Sequence, residues 1–119
     1  AVYKLLKRHQ LTFSDIDVFE FHEAFAGQIL ANIKALTDAS FIKQKFKDDP
    51  SLGIFPIDKL NIYGGSLAIG HPFGATGARL VTTAVNRLQQ NQTKYALVAA
   101  CAAGAHGHAL LLKQYNQKT

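Results

Sequence analysis

The chain has 119 residues, the length of one ordinary domain, and 48% of them are hydrophobic while 18% are charged. This balance supplies a buried core and excludes an intrinsically disordered chain. The single cysteine excludes an internal disulfide framework, and no apolar run approaches the length of a membrane span. We therefore expect a soluble, intracellular protein or a piece of one.

The formal net charge of +5, from 13 Lys and Arg against 8 Asp and Glu, would suit an anionic partner. However, the positive residues are scattered, and the basic cluster Lys43, Lys45 and Lys47 is followed directly by Asp48 and Asp49. A solvated surface is the favoured interpretation. No nucleic-acid partner is predicted, since no helical cluster of basic residues contains interleaved aromatic residues.

The first half of the chain predicts a helix, a strand and a second helix. The first helix covers Ala1–His9 and lacks a capping residue, which favours a chain cut from something longer. Apolar residues from Ile16 to Phe21 predict a strand that places His22 and Glu23 at its end. The second helix covers Ala24–Leu36. Its apolar stripe is predicted to consist of Phe25, Ile29, Ile33 and Leu36, widened by Leu30.

The segment Asp38–Lys59 is the least regular, with a short helix around Phe41–Phe46 that is followed by Pro50, Gly53 and Pro56. After a glycine-rich stretch, a helix is predicted over about Ala75–Gln90. Its buried stripe is predicted to consist of Ala78, Val81, Val85 and Leu88.

The last part of the chain predicts two strands that form a hairpin. Tyr95–Cys101 is continuously apolar, as expected for a strand covered on both faces. Gly104 and Gly107 predict the turn, and His108–Tyr115 the final strand. The order of helices and strands predicts an α/β domain in which helices pack on a mixed sheet.

The stretch Asn61–Leu80 holds five of the nine glycines. It contains neither the P-loop spacing nor G-x-G-x-x-G, and it has no lysine, so a nucleotide triphosphate site is not expected. His71 lies between Gly70 and Pro72, and proline restricts both itself and the residue before it. A histidine held in this way is a candidate base, while a structural histidine in a turn is the alternative.

Other candidate residues lie at predicted strand ends, where reactive groups of α/β sheets collect. Cys101 is a candidate acid, base or nucleophile there, or else a small buried apolar residue. His22 is a candidate hydrogen-bonding residue in a pocket, and Glu23 could merely favour a helix dipole. His106 and His108 form only a weak metal-binding pattern, and no metal site is predicted. 

Three stretches of the chain form an ordered set of motifs, which are "HEAFAGQ" (His22–Gln28), "GGSLAIGHPFGATGAR" (Gly64–Arg79) and "CAAGAHGHALL" (Cys101–Leu111). Together they resemble the C-terminal blocks of the thiolase family. They resemble, in the family's order, its Asn-Glu-Ala-Phe, Gly-His-Pro and Cys-x-Gly motifs. Three ordered blocks are highly specific, and the forms present here are most similar to the β-subunit type of the fatty-acid oxidation trifunctional complex.

The resemblance implies a fold and a domain assignment. Residues 1–119 would be a thiolase C-terminal domain, the second βαβαβαββ half of the family fold, with one mixed five-stranded sheet between helices. Its opening strand could precede Ala1. The N-terminal half, which carries the family's nucleophilic cysteine, would lie outside this segment, and the segment alone is expected to be inactive.

The resemblance also implies roles for particular residues. His71 matches the histidine that activates the nucleophile and contributes to an oxyanion hole. Cys101 matches the second catalytic cysteine, which exchanges the proton at the α-carbon of acetyl-CoA. His22 stands where most members have an asparagine that holds a water in an oxyanion hole. Backbone at Ala103 and Gly104 matches the other oxyanion hole.

The turn that presents His71 is assigned to four structural residues, which are Gly70, Pro72, Gly74 and Gly77. The third block departs from the common pattern, because Ala103 and Ala105 replace glycines. The backbone N–H at Ala103 is retained, while conformational freedom is lost.

The implied activity is cleavage of a 3-ketoacyl-CoA by CoA to acetyl-CoA and a shortened acyl-CoA in fatty-acid β-oxidation. CoA is then a co-substrate, and no cofactor is bound permanently. Implied partners are the N-terminal half, a second copy of the full-length chain and a hydratase/dehydrogenase α-subunit. The location would be cytoplasmic in a bacterium and mitochondrial in a eukaryote. The alternative is a thiolase-fold condensing or non-catalytic lipid-binding protein. The role of residues 38–59 stays open.

Overall fold

The structure is a computed structural model, and it describes residues 1–47 and 52–115. The predicted break at Pro50 lies outside these ranges. The helices are α1 (Val2–Arg8), α2 (Ala26–Thr37), α3 (Ala39–Phe46), α4 (Ser66–Ile69) and α5 (Thr76–Asn91). The strands are β1 (Val18–Phe21), β2 (Tyr95–Ala102) and β3 (His106–Lys113). Short 3-10 turns occupy Phe13–Asp15 and Ile57–Lys59.

The strands form one mixed sheet in the order β1-β2-β3. β1 and β2 are parallel, with Val18 opposite Ala96 and Phe21 opposite Ala99. β2 and β3 are antiparallel and form the predicted hairpin. A mixed α/β fold is therefore confirmed. The described residues contain three strands rather than the five predicted. Beside β1, the chain pairs through a single bridge, Phe19 to Leu60, and forms no strand there.

The sheet separates two apolar cores, as alternation of side chains along a strand requires. On one face, Phe19, Phe21 and Leu97 pack with residues of α1, α2 and α3. On the other face, Val18, Ala96 and Val98 pack with α5. β2 is thus covered on both faces over its first half, as predicted, and its exposure rises toward Cys101.

Two residues of the predicted apolar stripe of the second helix do not face the core. Phe25 is 75% exposed, because it is the extended N-cap before α2 and helical spacing does not set its direction. Leu30 is 66% exposed, since it lies one position from the buried Ile29 and points away from the core.

The α5 stripe is also rotated from its predicted position. Ala78 is exposed, Val81 and Val85 are half-buried, and only Leu88 of the predicted set is buried. The buried residues of α5 are Thr76, Leu80, Ala84, Arg87 and Leu88. The burial of an arginine explains the error, because pattern analysis assigns arginine to the solvent face.

Arg87 is buried because it forms an ion pair beneath the sheet. Its Nη1 donates to Glu20 Oε1 at 2.7 Å and to the Phe19 carbonyl at 3.1 Å. Its Nη2 donates to the Lys59 carbonyl at 2.9 Å. The guanidinium therefore joins β1 to the segment that precedes the glycine-rich loop.

Asn61 continues this connection. Its backbone N–H donates to the Phe19 carbonyl at 3.0 Å. Its side-chain Oδ1 accepts from Phe21 N at 2.8 Å, and its Nδ2 donates to the Phe21 carbonyl at 2.9 Å. Asn61 has φ +47, a left-handed conformation that asparagine tolerates better than most residues. The chain thus turns here, and the loop runs toward the carboxyl end of β1.

Candidate active site

The site is assembled where β1 ends and the glycine-rich loop turns back. His22 follows β1 directly, and its backbone N–H donates to the Ala99 carbonyl of β2 at 2.8 Å. This bond fixes the His22 backbone against the sheet. The imidazole rings of His22 and His71 lie 4.1 Å apart, centroid to centroid, with an interplanar angle of 40°. Two of the predicted site residues, 49 positions apart in the chain, are therefore in contact.

The His22 side chain is buried and connected to a serine and an arginine. Its Nδ1 lies 3.0 Å from Ser66 Oγ. Arg79 donates through Nη2 to the same Ser66 Oγ at 2.9 Å, and through Nη1 to the Gly70 carbonyl at 3.0 Å. The first turn of α5 thus carries an arginine that holds both α4 and the residue before His71.

His71 is exposed, and a threonine of α5, rather than the serine and arginine near His22, contacts its side chain. Its Nδ1 lies 2.6 Å from Oγ1 of Thr76, the first residue of α5. Thr76 Oγ1 also donates to the Pro72 carbonyl at 3.3 Å. Gly70 and Gly74, on either side of His71, have φ of +88 and +82, where a side chain would strain the backbone. Gly77 lies within α5.

Glu23 fastens the glycine-rich loop to the end of β1. Its carboxylate accepts from Asn61 Nδ2 at 2.6 Å and from the Leu67 backbone N–H at 3.1 Å. A Cβ added at Gly65 would collide with that carboxylate, so a larger residue here would force the Glu23 side chain to move. The alternative that Glu23 serves the dipole of the following helix is wrong, since α2 begins at Ala26 and has no acidic residue in its first turn.

The electrostatic environment keeps His22 neutral. Burial lowers the pKa of His22 below the usual 6.5, and the neighbouring His71 and Arg79 lower it further, whereas Glu23 opposes the shift. A neutral imidazole has one N–H donor and one lone-pair acceptor. His22 can therefore act as a hydrogen-bonding group near pH 7 without carrying charge.

Cys101 lies farther along β2, two residues beyond the Ala99 carbonyl that fixes His22, and its thiol is exposed. Side-chain alternation places it on the same face of the sheet as Leu97 and Ala99. A cavity of about 470 Å³ opens on this face, and both His22 and Cys101 line it. His71 does not line this cavity. It reaches the site through its ring contact with His22.

Ala103, Gly104 and Ala105 form the turn between β2 and β3, next to Cys101. Gly104 has φ +77, and Ala105 has φ +59. A residue that lacks glycine's freedom therefore occupies the left-handed region at Ala105. Gly107 lies inside β3 rather than in the turn, because the hairpin closes two residues earlier than predicted.

His106 and His108 both lie on β3. Within residues 1–47 and 52–115, no group of three or more His, Cys, Asp or Glu side chains could hold a metal ion. The same ranges contain no helix that is long and apolar enough to cross a membrane.

Residues 1–114 match the family described as "Thiolase, C-terminal domain". The chain belongs to the thiolase C-terminal domain family. The sequence-based identification of the family is therefore confirmed, and the match covers every site residue described above.

Named relatives of this thiolase domain agree with the match. The chain is 53% identical over 117 residues to "Probable 3-ketoacyl-CoA thiolase" of Caenorhabditis elegans, with 98% of the chain and 26% of that protein covered. It is 54% identical over 115 residues to "Trifunctional enzyme subunit beta, mitochondrial" of Rattus norvegicus, with 97% and 24% covered. The thiolase domain thus spans about a quarter of the length of these relatives.

A solved thiolase has the same fold. The crystal structure of human mitochondrial 3-ketoacyl-CoA thiolase in complex with CoA matches 98% of this chain and 25% of its own length. The TM-score is 0.73 and the sequence identity is 32%. The thiolase-like fold predicted from the three sequence blocks is therefore confirmed.

Three further residues of the site were not predicted from the sequence, and they are Ser66, Thr76 and Arg79. Ser66 and Arg79 lie inside the second quoted block, but serine and arginine have no spacing there that indicates contact with a histidine. Ser66 is 44 positions from His22, so only the folded chain shows the pair. Thr76, five positions from His71, was the one that local sequence could have revealed.

Proposed function

We propose that this chain is the C-terminal catalytic half of a 3-ketoacyl-CoA thiolase, an acyltransferase of fatty-acid β-oxidation. The contact between His22 and His71 at the end of β1, beside the strand that carries Cys101, is the observation that carries the proposal. Three groups that the family resemblance assigns to the reaction thus lie near the carboxyl ends of β1 and β2. The names of the relatives support the same reaction.

In the proposed reaction, a cysteine thiolate of the N-terminal half attacks the 3-keto carbon of the substrate. Acetyl-CoA leaves, and a second CoA then takes the shortened acyl group from the cysteine. His71 accepts a proton from the nucleophile, and Cys101 exchanges the proton at the α-carbon of acetyl-CoA. An enolate-like transition state needs both a nearby proton carrier and a fixed donor at its oxygen.

The remaining groups supply hydrogen-bond donors. We propose that His22 donates, directly or through a water, to the thioester oxygen that carries the developing charge. The backbone N–H groups at Ala103 and Gly104 serve the second oxyanion hole, since both lie in the turn directly after Cys101. Gly70, Pro72 and Gly74 shape the turn that presents His71, while Gly77 lies within α5.

CoA enters this proposal as a co-substrate, and no permanently bound cofactor is invoked. A solved relative is described in complex with CoA, which supports a CoA-dependent reaction for this chain. We propose that the partners are the N-terminal half, a second copy of the full-length polypeptide and a hydratase/dehydrogenase α-subunit. In a eukaryotic cell the location would be mitochondrial, as the names of the trifunctional-enzyme relatives say of those proteins.

The test uses the longer polypeptide that we propose contains this segment. His71→Ala and Cys101→Ala are each expected to lower the rate of acetyl-CoA formation from a 3-ketoacyl-CoA and CoA by about 10²- to 10⁴-fold. His9→Ala, which alters an exposed histidine at the end of α1, is the matched control and should leave the rate unchanged. Circular dichroism of each variant verifies that the fold persists.

Near-normal turnover in either variant would contradict the assigned roles. Absence of thiolysis in the unmodified polypeptide, together with binding of acyl-CoA, would favour a non-catalytic lipid-binding protein. The purified 119-residue chain is expected to be inactive, because the nucleophilic cysteine belongs to the other half. Measurable thiolysis by that chain would contradict the assignment of the nucleophile.

A further inference from the structure

His22 and His71 are each held through Nδ1 by a hydroxyl group, but the two hydroxyls have different second partners. Ser66 Oγ receives a hydrogen bond from an arginine, which can only donate. Thr76 Oγ1 gives one to a carbonyl, which can only accept. The second partner decides whether a hydroxyl offers its proton or its lone pair to the histidine.

We propose that Ser66 with Arg79, and Thr76, are positioning residues that hold the two histidines in opposite neutral tautomers. His22 is then protonated at Nε2 and is a donor toward the site, while His71 is protonated at Nδ1 and keeps the Nε2 lone pair as an acceptor. This inference rests on the proposed function for its catalytic meaning, although the tautomers themselves do not depend on that function.

The assignment for His22 follows from counting the hydrogen bonds of Ser66. Arg79 Nη2 already donates to Ser66 Oγ, and the contact with His22 Nδ1 is the other hydrogen bond of that hydroxyl. If His22 Nδ1 also donated, the Ser66 proton would have no acceptor, although Ser66 is only 8% exposed. An unsatisfied buried donor is costly, so Ser66 donates to Nδ1 and the ring proton lies on Nε2.

The same count gives the opposite answer for His71. The Thr76 hydroxyl can satisfy both of its contacts only if it donates to the Pro72 carbonyl and accepts from His71 Nδ1. In the reverse arrangement Thr76 donates to His71 Nδ1, and Thr76 Oγ1 then faces the Pro72 carbonyl oxygen at 3.3 Å with no proton between them, in a residue that is only 4% exposed. The ring proton of His71 therefore lies on Nδ1, and Nε2 is free to accept a proton.

The charges around His22 favour its neutral form in this arrangement. Arg79 lies beside Ser66, the two imidazoles lie 4.1 Å apart, and the acidic Glu23 opposes their effect on His22. Protonating His22 would place a positive charge beside the His71 ring and near the Arg79 guanidinium.

Within the described ranges, no hydrogen bond reaches Nε2 of either histidine. The site thus offers one N–H donor and one lone pair on neighbouring rings. The lone pair of His71 suits proton removal from a thiol, and the N–H of His22 suits an oxygen that gains negative charge. If His22 were protonated at Nδ1, its Nε2 would offer a lone pair instead of an N–H to that oxygen. If His71 were protonated at Nε2, that nitrogen could not accept the thiol proton.

The first experiment reads the tautomers directly in the longer polypeptide labelled with ¹⁵N-histidine. Long-range ¹H–¹⁵N correlation spectra near pH 7.5 should show His22 protonated at Nε2 and His71 protonated at Nδ1. The variants His22→Asn and His71→Asn assign the signals. A spectrum that shows His22 protonated at Nδ1, or His71 at Nε2, overturns the proposal whether or not the protein has thiolase activity.

The second experiment disturbs the positioning residues. Ser66→Ala should produce a mixture of His22 tautomers and lower kcat about tenfold with a small change in KM, while Ser66→Thr should restore the tautomer and most of the rate. Thr76→Val should do the same to His71, and Thr76→Ser should rescue it. Ser14→Ala and Thr82→Val, at exposed positions, are the matched controls.

Unchanged tautomers in both Ser66→Ala and Thr76→Val would overturn the positioning roles. If the tautomers respond as expected but the polypeptide never cleaves a 3-ketoacyl-CoA, the proposed function fails and the positioning roles stand. The two failures are therefore distinguishable, because spectra report the first and turnover the second.

Discussion

Helix α5 carries two arginines, eight positions apart, that reach toward β1 in different surroundings. Arg87 is 2% exposed and donates to a carboxylate and to two carbonyls of the fold. Arg79 is half-buried and donates to one carbonyl and to a serine hydroxyl that contacts His22. The first arginine is paired with a charge, and the second has no carboxylate partner within residues 1–47 and 52–115.

The comparison shows that position relative to the strand end separates a structural arginine from one that acts on the site. Arg87 lies beneath the middle of β1, where its carboxylate partner Glu20 is also buried, so its charge is neutralised within the core. Arg79 lies beyond the carboxyl end of β1, where its charge lowers the pKa of His22. The same side chain on one helix thus stabilises the fold at one end and tunes the site at the other.

The largest expected effect comes from breaking the buried pair. Glu20→Ala leaves Arg87 charged and buried without its partner, so the free energy of unfolding of the longer polypeptide should fall by about 3–5 kcal/mol. Chemical denaturation measures this. Glu20→Gln, which keeps an acceptor oxygen for Arg87, should lose less. A loss below about 1 kcal/mol for Glu20→Ala would show that Arg87 is not structural.

Arg79→Met should lower the rate of the reaction while leaving the stability of the fold nearly unchanged. The free energy of unfolding should change by less than about 1 kcal/mol, because the side chain is partly solvated and pairs with no carboxylate in the part of the chain that the structure describes. The rate of thiolysis should nevertheless fall about tenfold, since Ser66 loses its donor and is free to rotate away from His22. Arg87→Met, measured in parallel, should have a larger loss in the free energy of unfolding than Arg79→Met. Equal effects of the two variants on stability would contradict the distinction between the two arginines.

The burial of His22 predicts a smaller, pH-dependent effect. Because the pKa of His22 is lowered in the folded chain, the unfolded chain binds more protons once the pH falls to about 6.5. The free energy of unfolding should therefore decrease as the pH falls below that value, with its full contribution present above it. His22→Asn should flatten this part of the profile. A profile that stays unchanged in His22→Asn would contradict the assignment.

The smallest expected effect concerns the turn after Cys101. Ala105 has φ +59, so Ala105→Gly removes backbone strain, and the free energy of unfolding should rise by about 0.5–1 kcal/mol. Ala103→Gly, in the same turn but outside the left-handed region, is the matched control and should not stabilise. Destabilisation by Ala105→Gly would show that the strain at this position is already relieved in the folded protein.

The sequence predicted the fold well where local pattern decides the structure. The helices α1 and α5, the strand β2 and the hairpin follow from periodicity and turn residues close in the chain. The three motif blocks supplied His22, His71 and Cys101, although their catalytic roles stay predictions. The described sheet has three strands rather than five, and the residues beside β1 pair with it through a single bridge at Leu60.

The supporting contacts of the site could not be predicted from the sequence. Arg87 pairs with Glu20 across 67 positions, and Ser66 contacts His22 across 44. Such contacts depend on how α4 and α5 pack against the sheet, which local periodicity does not encode. An arginine that is buried by a distant carboxylate also conceals which face of its own helix is apolar.

Asn61 has a consequence for how this edge of the sheet can vary. Its amide copies the donor and acceptor of a peptide group, and it pairs with Phe21 N and O as a neighbouring strand would. Aspartate has no N–H₂ to donate, and glutamine is one methylene longer. One side chain thus substitutes for a stretch of backbone, and the main chain is released to carry the glycine-rich loop toward His22. The side-chain amide of Asn61 therefore takes the place beside Phe21 that the backbone of a neighbouring strand would occupy.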